Sequence, residues 1–190
     1  ALHAGGAAVL GSIQFTTRTV ELHEAEAILV CVPTPLTRNR EPDLGPLQSA
    51  AQALAGVVRR DQLIVLESTT FPGTTRGHMV PMLEESGLRA GEDFALAFSP
   101  ERVDPGRTDY TLRTTPKVVG GLTPACTERA VEVYGRVCDH VVKVSTPEVA
   151  ELSKLLENIF RSVNIALVNE LAILCDRMDI DVWEVVDAAA

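Results

Sequence analysis

Short apolar blocks separated by amphipathic stretches organise the first three quarters of the chain. Residues 27–32, AILVCV, read as a strand buried on both faces, and residues 63–66, LIVL, and 94–98, FALAF, repeat that pattern at strand length. Residues 117–119 and 140–144 supply two more strands, the first closed by Gly120 and Gly121. Between them Leu47, Ala51, Leu54 and Val58 recur at helical spacing behind Asp43, a residue type that caps helices. A second helix is expected over residues 74–85, and a third runs from Thr123 and Pro124 to about Val137. A short strand at 13–16 and a short helix at 19–25 precede these, while residues 1–12 carry no assignable pattern. Alternating strands and helices predict an α/β fold, a mostly parallel sheet with helices on both faces.

The pattern changes after residue 146. Thr146 is a good N-cap, Pro147 suits the first helical position and Glu148 favours the positive helix end, so a long helix starts here and runs to Arg177. Leu152, Leu156, Ile159, Val163 and Ala166 share one side of it, expected to be a core face; Glu170 lies near that side and needs a buried partner. Lys154, Asn158 and Arg161 form a polar stripe on the opposite side, either a solvated surface or a site. Asp181 with Glu184 makes a capping-box-like start for one more helix. No strand pattern follows residue 147, which predicts an α/β domain over residues 1–146 and the start of an all-helical domain over 147–190.

Composition narrows the picture. At 190 residues and 46% hydrophobic, the chain can bury one substantial core, or one and the beginning of a second. A formal net charge of −9 argues against a nucleic-acid-binding surface, although a local basic pocket for a phosphate is compatible with it. No uninterrupted apolar run approaches the roughly 20 residues of a membrane span, and no basic stretch followed by an apolar one opens the chain, which points to a cytoplasmic protein without a membrane partner. Cys31, Cys126, Cys138 and Cys175 show no C-x-x-C pairing and no zinc-ligand spacing, so four reduced thiols and no metal are expected. The chain opens at Ala1 without methionine and stops at Ala190 inside a running helix, as a fragment would.

In an open α/β sheet, ligands bind beyond the carboxyl ends of the strands. Three unusual segments follow such ends: PTP at 33–35, STT at 68–70 and SPERVDPG at 99–106. PTP is either a rigid strand exit or a ligand contact, with Thr34 its one polar side chain. Ser68, Thr69 and Thr70 offer hydroxyls and backbone N–H groups suited to phosphate or ribose oxygens, and a plain turn with a helix cap explains them nearly as well. Glu101 is either a general base or a surface partner of Arg102 or Lys117. Arg102 and Arg107 are weak candidates for an anionic substrate, and the four histidines receive no role.

Taken jointly, ILVCVPTPL, REPDL, LESTTFPGTTR, AFSPERVDPG, TPKVVGG and the whole stretch from AELSKLLEN to the final alanines resemble the nucleotide-sugar 6-dehydrogenases. The likeness runs from about Ala27 to Ala190 and is greatest to the UDP-N-acetylhexosamine branch, with UDP-glucose 6-dehydrogenase next. It implies a Rossmann-like NAD-binding domain followed by a central helical domain. The implied reaction oxidises the C6 hydroxyl of a nucleotide-bound sugar to a carboxylate with two NAD+ in succession, a cysteine thiol trapping the aldehyde as a thioester precursor. By motif position Lys154 resembles the lysine at the developing oxyanion, Asn158 the residue orienting that region, and Glu101 the glutamate that works with a water as acid/base. The same resemblance places Val32, Pro33, Thr34, Ser68 and Thr69 at NAD, and Glu101, Arg102, Val103, Lys154 and Asn158 at the UDP-sugar. It also implies a homodimer through the long helix.

Three departures accompany the likeness. Gly5, Gly6 and Gly11 do not form the G-x-G-x-x-G phosphate loop, no Gly-rich cysteine motif is present, and Asp179 stands where the family carries glycine, predicting a strained or differently shaped turn. No cysteine of this chain therefore takes the nucleophile's role, and the chain alone is expected not to complete the oxidation. Two other readings stay open: a single-hydride hydroxyacid dehydrogenase of similar layout, and a non-catalytic module whose long helix serves only dimerisation.

Overall fold

The computed structural model describes residues 13–102 and 111–189. Five strands, β1 (Ala27–Val30), β2 (Leu63–Leu66), β3 (Ala95–Phe98), β4 (Lys117–Gly121) and β5 (Val141–Lys143), form one sheet in sequential order. The β1–β2, β2–β3 and β4–β5 pairs are parallel, and β3–β4 is antiparallel. The sheet is thus mostly parallel, with one reversal between β3 and β4.

Strand side chains alternate faces, and the alternation divides the core in two. Ile28, Val30, Ile64, Leu66, Leu96 and Phe98 meet α1 (Gly45–Ala55) and α2, through Leu47, Ala51, Leu54, Met79 and Leu83. Helix α2 is composite: a π-helical turn at Thr75–Met79 runs into Val80–Leu83 and closes in a 3-10 turn at Glu84–Ser86. Pro81 has no N–H for the regular ladder, which accounts for the irregular register beside it. On the other face Leu63, Val65, Ala95, Ala97 and Val119 pack against Cys126, Ala130 and Tyr134 of α3 (Pro124–Tyr134).

Gly120 and Gly121 do not close β4; they belong to it, with Gly120 in register with Phe98 and Gly121 with Ala97. A Cβ at Gly120 would fall on the carbonyl oxygen of Thr146, and one at Gly121 on the backbone of Cys126 and Thr127. Two helix starts approach β4 so closely that only glycine fits.

Several boundaries differ from expectation. Residues 13–16 form no strand, and the short helix is a 3-10 segment, Thr19–Glu24. Leu44, not Asp43, is the cap residue of α1, yet Asp43 Oδ1 still accepts from the Gly45 N–H at 2.8 Å; α1 ends at Ala55, short of Val58.

Helix α4 (Pro147–Arg177) begins as expected, with Thr146 Oγ1 accepting from the Val149 N–H at 3.4 Å. Its burial does not follow expectation. Pro147, Ala150 and Glu151 are buried, but Leu152 is 54% exposed, Leu156 64%, Ile159 57% and Val163 60%. The presumed core face finds no cover among the described residues, because α4 leaves the sheet after its first turns; Glu170 is exposed, with no buried partner among the described residues. Although no uninterrupted apolar run is long enough, α4 as a helix is long and apolar enough by length and composition to cross a membrane, with a mean hydropathy of 1.3 over its most apolar window. Asp181 Oδ1 accepts from the Trp183 N–H at 2.9 Å and so caps α5 (Val182–Ala189). Asp179, in the turn before it, has φ of 54°, the left-handed conformation that glycine adopts without strain.

Candidate active site at the carboxyl edge of the sheet

The carboxyl ends of β1, β2 and β3 share one edge, and each is followed by one of the three unusual loops. Ser68, buried just past β2, accepts from the Val32 N–H at 2.8 Å and lies 2.8 Å from the Val32 carbonyl oxygen, to which its hydroxyl can donate. It ties the exits of β1 and β2 together. The hydroxyl expected to face a phosphate or ribose is therefore used internally, and Ser68 shapes the rim on which Val32, Pro33 and Thr34 stand. Thr34 and Thr69 are half-buried and Pro33 is exposed at this edge.

Because β4 runs antiparallel to β3, its first residue returns to this same edge. Lys117, 3% exposed, lies 3.1 Å from Glu67 Oε1 and 3.7 Å from Glu101 Oε2. Glu67 also accepts from the Tyr134 hydroxyl and from Cys31 Sγ at 3.7 Å, and the Lys117 ammonium sits 5.0 Å from the centre of the Tyr134 ring. Burial first, and the Glu67 hydrogen bond second, push the Tyr134 phenol far up, so it stays protonated. Burial likewise raises the thiols of Cys31, where Glu67 adds to it, and of Cys138. Neither is activated as a nucleophile.

Glu101 was expected to be either a general base or a surface partner of Arg102 or Lys117. It is exposed, accepts from the Arg102 N–H at 2.6 Å, and its cationic neighbour Lys117 is a buried group with a second carboxylate behind it. Arg102, expected at the substrate, has protein partners in this structure. Its guanidinium pairs with Glu157 of α4 and donates to the Pro116 carbonyl at 3.3 Å, so it joins the loop after β3 to the long helix. Val103 and Arg107 lie outside the described residues.

Glu157 lies between Lys154 and Asn158 along α4, so the Arg102 contact brings the Glu101 loop against the polar stripe. Lys154 is half-buried and Asn158 exposed, and neither side chain has a hydrogen-bond or ion-pair partner among the described residues. Arg161 is exposed on the same stripe.

A second tie fixes the start of α4. Glu151 is fully buried and accepts from the Gly73 N–H at 2.6 Å, the Thr75 N–H at 2.8 Å and the Thr75 hydroxyl at 2.7 Å. Burial raises its carboxyl above the ordinary range, with the three donors opposing that rise. Beside it Glu148 accepts from Arg76 Nε at 2.7 Å; burial raises this carboxyl too, but the Arg76 hydrogen bond and the helix start outweigh burial and leave it lowered. The helix that carries Lys154 is thereby registered to the loop that carries Ser68 and Thr69.

Glu67, Tyr134 and Glu151 were not anticipated from the sequence. Glu67 had one available signal, an acid directly after the buried run LIVL at a strand end; Glu151 had one in falling among the apolar positions of the first helical turns.

The model of the UDP-glucose/GDP-mannose dehydrogenase family NAD binding domain matches residues 6–138, and that of the same family's central domain matches residues 148–190. The chain is 43% identical over 180 residues to Protein CapL of Staphylococcus aureus, covering 94% of this chain and 42% of that protein. It is 39% identical over 179 residues to a UDP-N-acetyl-D-glucosamine 6-dehydrogenase of Pseudomonas aeruginosa, covering 93% of this chain and 42% of the relative. Among solved structures it is similar to a UDP-D-ManNAc dehydrogenase from Pyrococcus horikoshii, with TM-score 0.89, 36% identity, and coverage of 97% of this chain and 44% of that one. The chain thus spans well under half the length of the relatives it matches.

Proposed function

The chain belongs to the UDP-glucose/GDP-mannose dehydrogenase family, and from that membership we propose that it supplies the NAD-binding domain, residues 1–146, and the first part of the central helical domain, residues 147–190, of a UDP-sugar 6-dehydrogenase. The substrate is a UDP-N-acetylhexosamine, with UDP-glucose as the neighbouring choice, and the product is the uronic acid. What supports this reading is the Arg102–Glu157 pair, which joins the Glu101 loop to helix α4 within one turn of Lys154, a residue with no side-chain partner among the described residues.

Each residue is assigned the part that its motif position in the family implies. The Lys154 ammonium offsets negative charge developing on the C6 oxygen, and the Asn158 amide orients the same group. Glu101, with a water, moves protons in the later steps. Val32, Pro33 and Thr34, together with Ser68 and Thr69, rim the cofactor, with Ser68 acting through the backbone it holds. NAD+, when bound, accepts the electrons of both oxidation steps. Arg102 orients the Glu101 loop against α4, and Val103 stays a substrate neighbour by resemblance. The thiol is assigned to a part of the protein outside these residues, since none of Cys31, Cys126, Cys138 and Cys175 lies in a Gly-rich cysteine motif.

Two chains are proposed to pair through the exposed apolar side of α4, in a cytoplasmic dimer. A partner helix covers Leu156, Ile159 and Val163 in a way that water cannot. Sedimentation of the chain over a range of concentrations, with and without Ile159→Asp and Val163→Asp, checks this; a wild-type chain that stays monomeric at every concentration removes the pairing.

Turnover is tested in an enzyme that joins this chain to the rest of its relatives' length, following NADH formation with UDP-sugars. Lys154→Ala is expected to lower kcat about 100- to 1000-fold, the usual contribution of an oxyanion donor. A loss below about threefold excludes the assigned role. Two NADH per sugar are expected; one per sugar favours a hydroxyacid dehydrogenase type of chemistry.

A further inference from the structure

The buried Lys117 is the charged group the proposed chemistry leaves unused. Carrying the β3–β4 register beyond the pairs Ala97 with Gly121 and Phe98 with Gly120 sets Lys117 across from Glu101, and the side chains meet at 3.7 Å. A lysine buried this completely loses most of its hydration and persists as an ion only with close compensation. Glu67 provides it at 3.1 Å, and the Tyr134 hydroxyl, donating to the same carboxylate, fixes Glu67 in turn. The Tyr134 ring adds a π face to the ammonium at 5.0 Å. Each member of this set is on a different rigid element: Glu67 directly after β2, Tyr134 at the end of α3, Lys117 at the start of β4.

We propose that Lys117 is a positioning residue for Glu101: its ammonium, held from behind by Glu67 and Tyr134, fixes the Glu101 carboxylate at the substrate edge. This rests on the acid/base reading of Glu101. The arrangement answers a geometric difficulty, since Glu101 lies on a loop beyond the last residue of β3 and a loop carboxylate has many rotamers. A second carboxylate behind the lysine does not compete for the same position, because Glu67 is anchored by the phenol. The ammonium is therefore a bridge from the sheet core to a loop side chain.

The test is a double-substitution cycle on kcat and KM in the full-length enzyme, with Glu101→Gln, Lys117→Met and the two combined. Lys117→Met is expected to lower kcat about 10- to 100-fold, the scale of a small misplacement of a reacting group. KM for NAD+ is expected to stay within about threefold, and the combined variant to be no slower than Glu101→Gln alone. Lys117→Arg, which keeps the cation, is expected to recover part of the loss. If Lys117→Met exposes Glu67 to an uncompensated burial and does not fold, Lys117→Met with Glu67→Gln replaces it in the same cycle. A slowed Glu101→Gln with Lys117→Met at the wild-type rate overturns the positioning role alone. So does a Lys117→Met loss of equal size in the Glu101→Gln background. Glu101→Gln at the wild-type rate removes the acid/base reading itself, and the positioning role with it.

Discussion

Strand β2 and helix α4 are both rich in branched apolar residues, yet they end at opposite extremes of burial. Every residue of β2 is buried, with Ile64, Val65 and Leu66 at 0% exposure, whereas Ile159 and Val163 on α4 are more than half exposed. The difference lies in what each element meets. A central strand has neighbours on two edges and two faces, all supplied by this chain. Helix α4 meets the sheet only through its first turns, where Gly120 admits the Thr146 backbone and Glu151 is bound by Gly73 and Thr75. Apolar periodicity states that a face requires cover; which molecule provides it is a separate matter.

The comparison can be broken most forcefully in the sheet. Leu66→Ala is expected to cost about 2–5 kcal/mol, because the close-packed surroundings cannot collapse into the space; urea unfolding followed by circular dichroism measures it. A loss below about 1 kcal/mol would place β2 nearer to α4 in character than its burial indicates.

The junction of the two regions comes next. Glu151→Gln is expected to cost about 1–3 kcal/mol, since an amide offers one acceptor oxygen to a site with three donors. Its pH dependence has a definite sign. Burial raises the Glu151 carboxyl, so the folded chain holds this proton more tightly than the unfolded chain does. That contribution is complete below the ordinary glutamate value of about 4.3 and is lost as pH rises through the raised folded value. The gap between wild type and variant is thus expected to narrow as pH rises from about 4 to about 8. Unfolding curves across that range check it; a widening gap contradicts the raised carboxyl.

Smaller effects sharpen the picture of the helical region. Asp179→Gly is expected to stabilise by about 0.5–1 kcal/mol, because glycine adopts φ of 54° without the steric cost that a side chain carries. Thermal unfolding measures the rise in Tm. Val163→Ala is expected to change stability by less than about 0.5 kcal/mol in dilute chain, as for most exposed positions. Repeating that measurement at high concentration separates a helix face that stays in water from one covered by a second copy, since only the latter makes the loss grow with concentration.

Much of the fold was readable from local pattern. The runs at β2 and β3, the cap and proline that open α4, and the Asp181 cap of α5 are short-range devices whose physics is complete within a few residues. Residues 13–16 look like a strand in sequence but find no partner strand among the described residues, and the glycines of β4 look like a strand end because their reason, close approach of two helices, is a long-range one. At the site, the proposed roles of Lys154, Asn158 and Glu101 rest on a motif resemblance. The Arg102–Glu157 pair was not legible, because the two residues lie 55 positions apart in sequence.

The amino-acid order by itself determined most of the segments that become strands and helices and where α4 starts, since propensity, capping and backbone sterics act over one or two helical turns. Tertiary structure alone decided that β4 runs backward and thereby buries Lys117 between Glu67 and Glu101, that Ser68 spends its hydroxyl on Val32, and that Glu151 locks the long helix to the loop after β2. Those outcomes depend on charges and donors brought together from positions far apart in sequence, where desolvation leaves each buried group only the partners that packing supplies.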